Sequence, residues 1–145
     1  HPDQLQLLLE GLRRYPLVTL VHRIWNYTDL TSPSVVKVVA DKEGRVLYFS
    51  RSLIPYPRDI ALTSANLLAQ VGYYRHVGLY GYHRSVLMEL VALSPSPLEQ
   101  VEQLEQLRWI YHGHSIWAIE TPHRSLAVDT QEEYEEAQRL AETLL

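Results

Sequence analysis

The chain has 145 residues, 46% of them apolar and 10% aromatic, enough for one core of ordinary domain size, which excludes global disorder. Seventeen acidic against thirteen basic side chains leave a net charge of −4, too weak a field to mark a nucleic-acid or polyanion binder. There is no cysteine, which excludes disulfide scaffolds, thiolate metal sites and cysteine nucleophiles, and no apolar run reaches the ~20 residues of a membrane span, so with no signal peptide at its start the sequence reads as soluble and cytoplasmic.

Leu5, Leu8, Leu9 and Leu12 recur at helical spacing between Pro2 and Tyr15, and Pro16 stops that amphipathic helix. Leu17 to Ile24 is β-branched and apolar, the pattern of a buried strand in an α/β sheet. Val35 to Asp41 and Arg45 to Ser50 form a hairpin around Lys42-Glu43-Gly44. Val46 to Phe49 is continuously apolar, so its strand is expected to be covered on both faces. Pro55, Pro57 and Arg58-Asp59 mark an extended, exposed loop, with a short helix possible at Ser64 to Gln70. His76 to Tyr82 reads as a strand and Arg84 to Leu93 as a helix. Ser96-Pro97-Leu98-Glu99 combines an N-cap serine, proline at the first helical position and a capping-box glutamate, predicting a helix from Pro97 to about His112. Ser115 to Thr121 is a further strand, and Asp129 to Glu133 opens a last helix. The alternation predicts an α/β layer structure without the first βαβ unit that would open its sheet. The six glycines stand alone, so no P-loop or G-x-G-x-x-G turn cradles a phosphate.

Several constellations suit chemistry. Arg51 and Arg58 bracket the proline loop, and a guanidinium grips carboxylates and phosphates at two points; two solvated arginines are the plain alternative. A strand over 76–82 puts His76, Gly78, Tyr80 and Tyr82 on one face, where the glycine leaves room for a ligand; ordinary core packing is the alternative. Glu105-Gln106 lies mid-helix, where the default is a solvated face. His112-Gly113-His114 lacks a third metal ligand. Asp129 precedes a helix and suits either an N-cap or a Mg²⁺ ligand. No G-x-S-x-G elbow supports a hydrolase triad.

Four blocks then stand out in order: VVKVVADKEGRVLYFSRSLIPYPRD, YYRHVGLYGYHRSVL, SPSPLEQVEQLEQLRWIYHG and VDTQEEYEEA. Together they resemble the 3-deoxy-manno-octulosonate cytidylyltransferases (CMP-Kdo synthetases) over nearly the whole chain. The resemblance implies a Rossmann-like nucleotide-sugar transferase fold and a homodimer. It also implies a reaction of CTP with the acid sugar Kdo, using Mg²⁺, to give CMP-Kdo and pyrophosphate for lipopolysaccharide synthesis. It assigns Arg51 and Arg58 to holding the sugar acid, His76, Tyr80, Glu105 and Gln106 to its carboxylate or hydroxyls, and Asp129 to the metal. The family's basic CTP loop and first metal aspartate have no counterpart here. The expectation is therefore a single α/β domain over 1–145 that is the C-terminal part of such an enzyme and inactive alone. A non-catalytic binding or dimerisation module, or a cytidylyltransferase for 8-amino-Kdo or sialic acid, are the alternatives.

Overall fold

Pro16 ends the first helix and sends the chain straight into the middle of a sheet. The computed structural model describes residues 1–59, 65–123, 134–135 and 138–139. In it α1 (Pro2–Leu12) leads to β1 (Leu17–Arg23), whose first five residues are all buried. The five strands lie in the order β3-β2-β4-β1-β5, with β2 at Lys37–Ala40, β3 at Val46–Ser50, β4 at Tyr74–Tyr82 and β5 at Trp117–Glu120. β1 runs antiparallel to β4 and parallel to β5.

The β1–β4 ladder is broken at one point. Thr19 pairs with Tyr80 and Leu20 with Val77, so Gly78 and Leu79 bulge out between them. Because the bulge inserts an even number of residues, alternation survives it. His76, Tyr80 and Tyr82, opposite Val21, Thr19 and Leu17, therefore share the face the sequence predicts.

The hairpin departs from expectation. Val39 pairs with Tyr48 and Ala40 with Val46, leaving Leu47 unpaired and 51% exposed. β3 is an edge strand, not one covered on both faces, because the register shift turns Leu47 outward. The hairpin also crosses one face of the sheet. Its tip bonds to β5 through Val46 N–H to Ile116 O and Ala118 N–H to Gly44 O, both 2.8 Å.

Under that arm lies the main core, where Leu17, Val21, Val38, Phe49 and Ile116 meet Leu90, Leu104, Leu107 and Trp109. On the opposite face α1 packs Leu8 against Val18, Leu20 and Val77. Gly11 permits that approach, since a Cβ there would overlap Ile119. A smaller cluster joins Ile24, Leu30, Val35, Leu67 and Tyr73.

Among the helices, α2 (Tyr27–Thr31) is unannounced by apolar periodicity and starts where Asn26 caps the Asp29 N–H at 2.7 Å. α3 (Ala65–Gln70) and α4 (Arg84–Leu90) fall inside the predicted spans. The single helix predicted from Pro97 to His112 is two helices, α5 (Pro97–Glu102) and α6 (Gln106–Tyr111). Gln103 breaks it with a left-handed φ of 54°. The reason lies in burial: Leu104, Gln106, Leu107 and Trp109 are all buried, a set too wide for one stripe of a straight helix. The start is as predicted, with a complete Ser96/Glu99 capping box. The helix expected after Asp129 lies outside the described residues. Among the described residues no helix is long and apolar enough to cross a membrane.

Candidate functional site

The shared face of β4 meets the start of α6. The His76 ring stands 5.1 Å edge-on to Phe49 and 5.2 Å from Tyr80. Tyr80 and Tyr82 in turn meet the Trp109 indole edge-on at 5.1 and 5.8 Å. Trp109 lies three residues beyond Gln106 and four beyond Glu105, the exposed N-cap of α6, so helical spacing sets all three on one side of that turn. The Glu105 charge helps hold the Tyr80 and Tyr82 phenols neutral, behind the larger effect of burial.

Burial also sets the state of His76, holding its pKa at about 4, below the ordinary 6.5. The imidazole is neutral at physiological pH. Its Nε2 lies 3.0 Å from Thr19 Oγ1, and that hydroxyl lies 2.9 Å from Leu79 O. With the Thr19 proton on Leu79 O, Nε2–H donates to Thr19, which leaves Nδ1 as an acceptor.

Two buried side-chain atoms among the described residues lack a partner, Arg23 Nε and the Tyr80 hydroxyl. The Arg23 guanidinium lies over the Trp25 ring at 4.6 Å. Among the described residues no cation covers Tyr80, and its hydroxyl makes no hydrogen bond although the Thr19 hydroxyl, which serves Leu79 and His76, lies nearby. Gln106 is 7% exposed, and no described residue bonds to its amide. The wall of β4 thus offers an acceptor at His76 and a hydroxyl at Tyr80 in apolar surroundings, with the Gln106 amide one helical turn from Trp109. Such a wall matches a polyhydroxylated ligand.

The other predicted residues are placed differently. Arg51 is half-buried, with Nε donating to Glu102 O at 2.8 Å and its terminal nitrogens to Pro33 O at 3.0 Å and Gln103 O at 3.5 Å. Two of a guanidinium's five N–H groups remain for a ligand. Its bonds to residues 102 and 103 tie it to the break that starts α6. Arg58 stands apart, its side chain 90% exposed in the loop and 3.9 Å from Asp59. Asp129 lies outside the described residues. A cleft of about 490 Å³ opens beneath the hairpin between Val38, Tyr74, Ala118 and Glu120, and none of the predicted residues lines it.

Sequence reasoning missed Thr19 and Trp109. The helical spacing of Trp109 from Glu105 was a usable signal; the pairing of Thr19 with Tyr80 depends on the bulge and was not. For metals, His112 Nε2 lies 3.0 Å from Ser94 O and joins no metal-ligand cluster among the described residues. His1, Asp3 and His123 do group together, across 120 residues of sequence, with His123 Nε2 3.0 Å from Asp3. Their two rings stack 10° from parallel, so the ring lone pairs run side by side and do not converge on one ion.

Residues 1–116 match the cytidylyltransferase family. The chain belongs to that family. Among its relatives, the 3-deoxy-manno-octulosonate cytidylyltransferase of Syntrophotalea carbinolica is 45% identical over 119 residues, 81% of this chain and 48% of that protein. That of Herminiimonas arsenicoxydans is 47% identical over 123 residues, 83% and 49%. A solved CMP:2-keto-3-deoxy-manno-octonic acid synthetase complexed with CTP shares the fold at a TM-score of 0.87 and 37% identity, over 100% of this chain and 58% of that one. The nucleotide-sugar transferase fold read from the sequence is thus borne out. The chain spans about half the length of the curated relatives it matches.

Proposed function

We propose that the chain carries the acid-sugar part of a 3-deoxy-manno-octulosonate cytidylyltransferase. In that reaction the anomeric hydroxyl of Kdo attacks the α-phosphorus of CTP, the bond to the β-phosphate breaks, and CMP-Kdo and pyrophosphate leave. The observation that carries the reading is the Tyr80 hydroxyl, buried without a partner beside a neutral His76. An unmet buried hydroxyl costs about 1–3 kcal/mol, a penalty that a sugar hydroxyl in the site removes. His76 Nδ1 accepts a hydrogen bond from a second sugar hydroxyl and the Gln106 amide meets a third group. A neutral histidine cannot balance a carboxylate, so that role goes to Arg51 through its free N–H groups, with Arg58 approaching from the loop. Catalysis is then chiefly positioning of the hydroxyl, with charge neutralisation at phosphorus.

The same reading includes Mg²⁺, a homodimer, and a cytoplasmic place in lipopolysaccharide synthesis. Asp129 would be one ligand to the Mg²⁺, which when bound would supply charge neutralisation at the phosphates. The apolar side chains of Met88, Val91 and Val101, 60%, 65% and 85% exposed, support the dimer.

Calorimetric titration of the chain with Kdo, with sialic acid as competitor, tests the reading. Saturable Kdo binding that sialic acid does not displace is expected, together with no pyrophosphate release from CTP and Kdo by the 145 residues alone. Absence of binding at millimolar Kdo would overturn it.

A further inference from the structure

A lysine inside an apolar run raises the question of where its charge goes. Lys37 lies in VVKVV, at the start of β2, and is 0% exposed. Its ammonium has three protons, and each meets a backbone carbonyl: Val35 O at 2.6 Å, Ser32 O at 2.8 Å and Arg51 O at 2.5 Å. No carboxylate pairs with it directly among the described residues.

The peptide on the other side of Arg51 is held as firmly. Glu102 accepts the Arg51 N–H at 2.9 Å through one carboxylate oxygen and the Ser50 hydroxyl at 2.6 Å through the other. The Arg51 guanidinium returns to the Glu102 and Gln103 carbonyls. Arg51 is therefore gripped at its N–H, its C=O and its side chain. Glu102 is also the last residue of α5, one position before the left-handed Gln103. Its bonds to Ser50 and Arg51 hold the end of α5 against the end of β3, and the direction of α6 is set by that anchor.

We propose that Glu102, with Lys37 on the far side of the same residue, is a positioning residue that sets Arg51 and the Glu105–Trp109 turn relative to each other for acid-sugar binding. The inference rests on the reading of the site as a Kdo pocket. Neither side chain needs to touch the ligand. Both charges in the hub are buried or half-buried, where charge-assisted bonds are strong and removal of one partner is expensive. Two ligand-facing segments, far apart in sequence, share this one anchor.

The test is Glu102→Gln in the full chain, read by amide NMR and by Kdo titration. The Gln side chain retains an acceptor for one of the two donors and loses the other. The amide signals of Arg51, Ser52 and 106–109 are expected to shift, and the Kdo Kd to rise about tenfold. Leu8→Ala, a destabilising change on the opposite face of the sheet, is expected to keep the wild-type Kdo affinity. An unchanged Kd in Glu102→Gln, or an equal rise in Leu8→Ala, would overturn the proposal, the second by tracing the effect to general loosening. If Glu102→Gln does not fold, Glu102→Asp, which keeps the charge but falls one methylene short, decides by the same measurements. Failure of the wild-type chain to bind Kdo sinks the functional reading alone. The amide signals then decide the hub: coupled shifts at Arg51 and Trp109 support it, and unmoved signals refute it.

Discussion

Replacing Tyr80 by phenylalanine separates what the fold needs from what the ligand needs. The ring contacts to His76, Tyr82 and Trp109 remain, because they involve only the aromatic body. What disappears is a hydroxyl that is buried and unpartnered in the free chain. Leaving such a group unmet costs about 1–3 kcal/mol, so Tyr80→Phe is expected to stabilise the free protein by about 1 kcal/mol. For a chain of this length that corresponds to roughly 3 °C in Tm. Kdo binding should move the other way, since the bond that relieves a penalty of about 1–3 kcal/mol is lost, a fall of roughly five- to 150-fold in affinity. Scanning calorimetry and titration calorimetry on the same preparation read both quantities. A drop in Tm would refute the reasoning by showing that the hydroxyl is bonded in the free chain. An unchanged affinity would show that the ligand does not meet it.

The geometry leads to three further outcomes. Burial depresses His76 from 6.5 to about 4 in the folded state, so the unfolded chain binds the extra proton between those values. Its contribution to stability is present above pH 6.5 and lost as pH falls to about 4, a change of about 3 kcal/mol; urea unfolding across that window should lose most of this slope in His76→Gln. Ser96→Ala removes the oxygen that accepts the Glu99 N–H and should cost about 1 kcal/mol by urea denaturation. Gly11→Ala should lower stability by about 1–3 kcal/mol despite alanine's preference for helices, because its methyl overlaps Ile119. A stability gain in that variant would mean that α1 can lift from the sheet without loss.

What could be read from the sequence was what is decided locally. The Ser96/Glu99 cap, the proline that stops α1 and the hairpin turn at Lys42-Glu43-Gly44 each depend on residues within a few positions of one another. The shared face of His76, Tyr80 and Tyr82 was legible for the same reason, although the bulge at Gly78 and Leu79 preserved it only by inserting an even number. The break at Gln103 was not legible, because glutamine carries no left-handed preference and the force behind it is the burial of Leu104 together with the grip of Glu102 on β3. Arg51 shows the same limit. As a residue type it suggests a carboxylate clamp, whereas most of its donors meet carbonyls from segments far away in sequence. Lys37, a charge among four valines, passed without remark in the sequence, and only the fold shows what satisfies it.

The crossing of the hairpin over the sheet has a consequence for association between molecules. Edge strands offer unpaired N–H and C=O groups as templates for foreign strands. By bonding to β5 at Ile116 and Ala118, the tip of the arm occupies part of both outer edges at once. One turn therefore guards two vulnerable places. It depends on Gly44, whose φ of +85° and 3.0 Å approach of a notional Cβ to Ala118 O leave no room for a side chain. A substitution there would release the arm, and the two bared edges of one molecule could then pair with those of its neighbours in an open-ended chain.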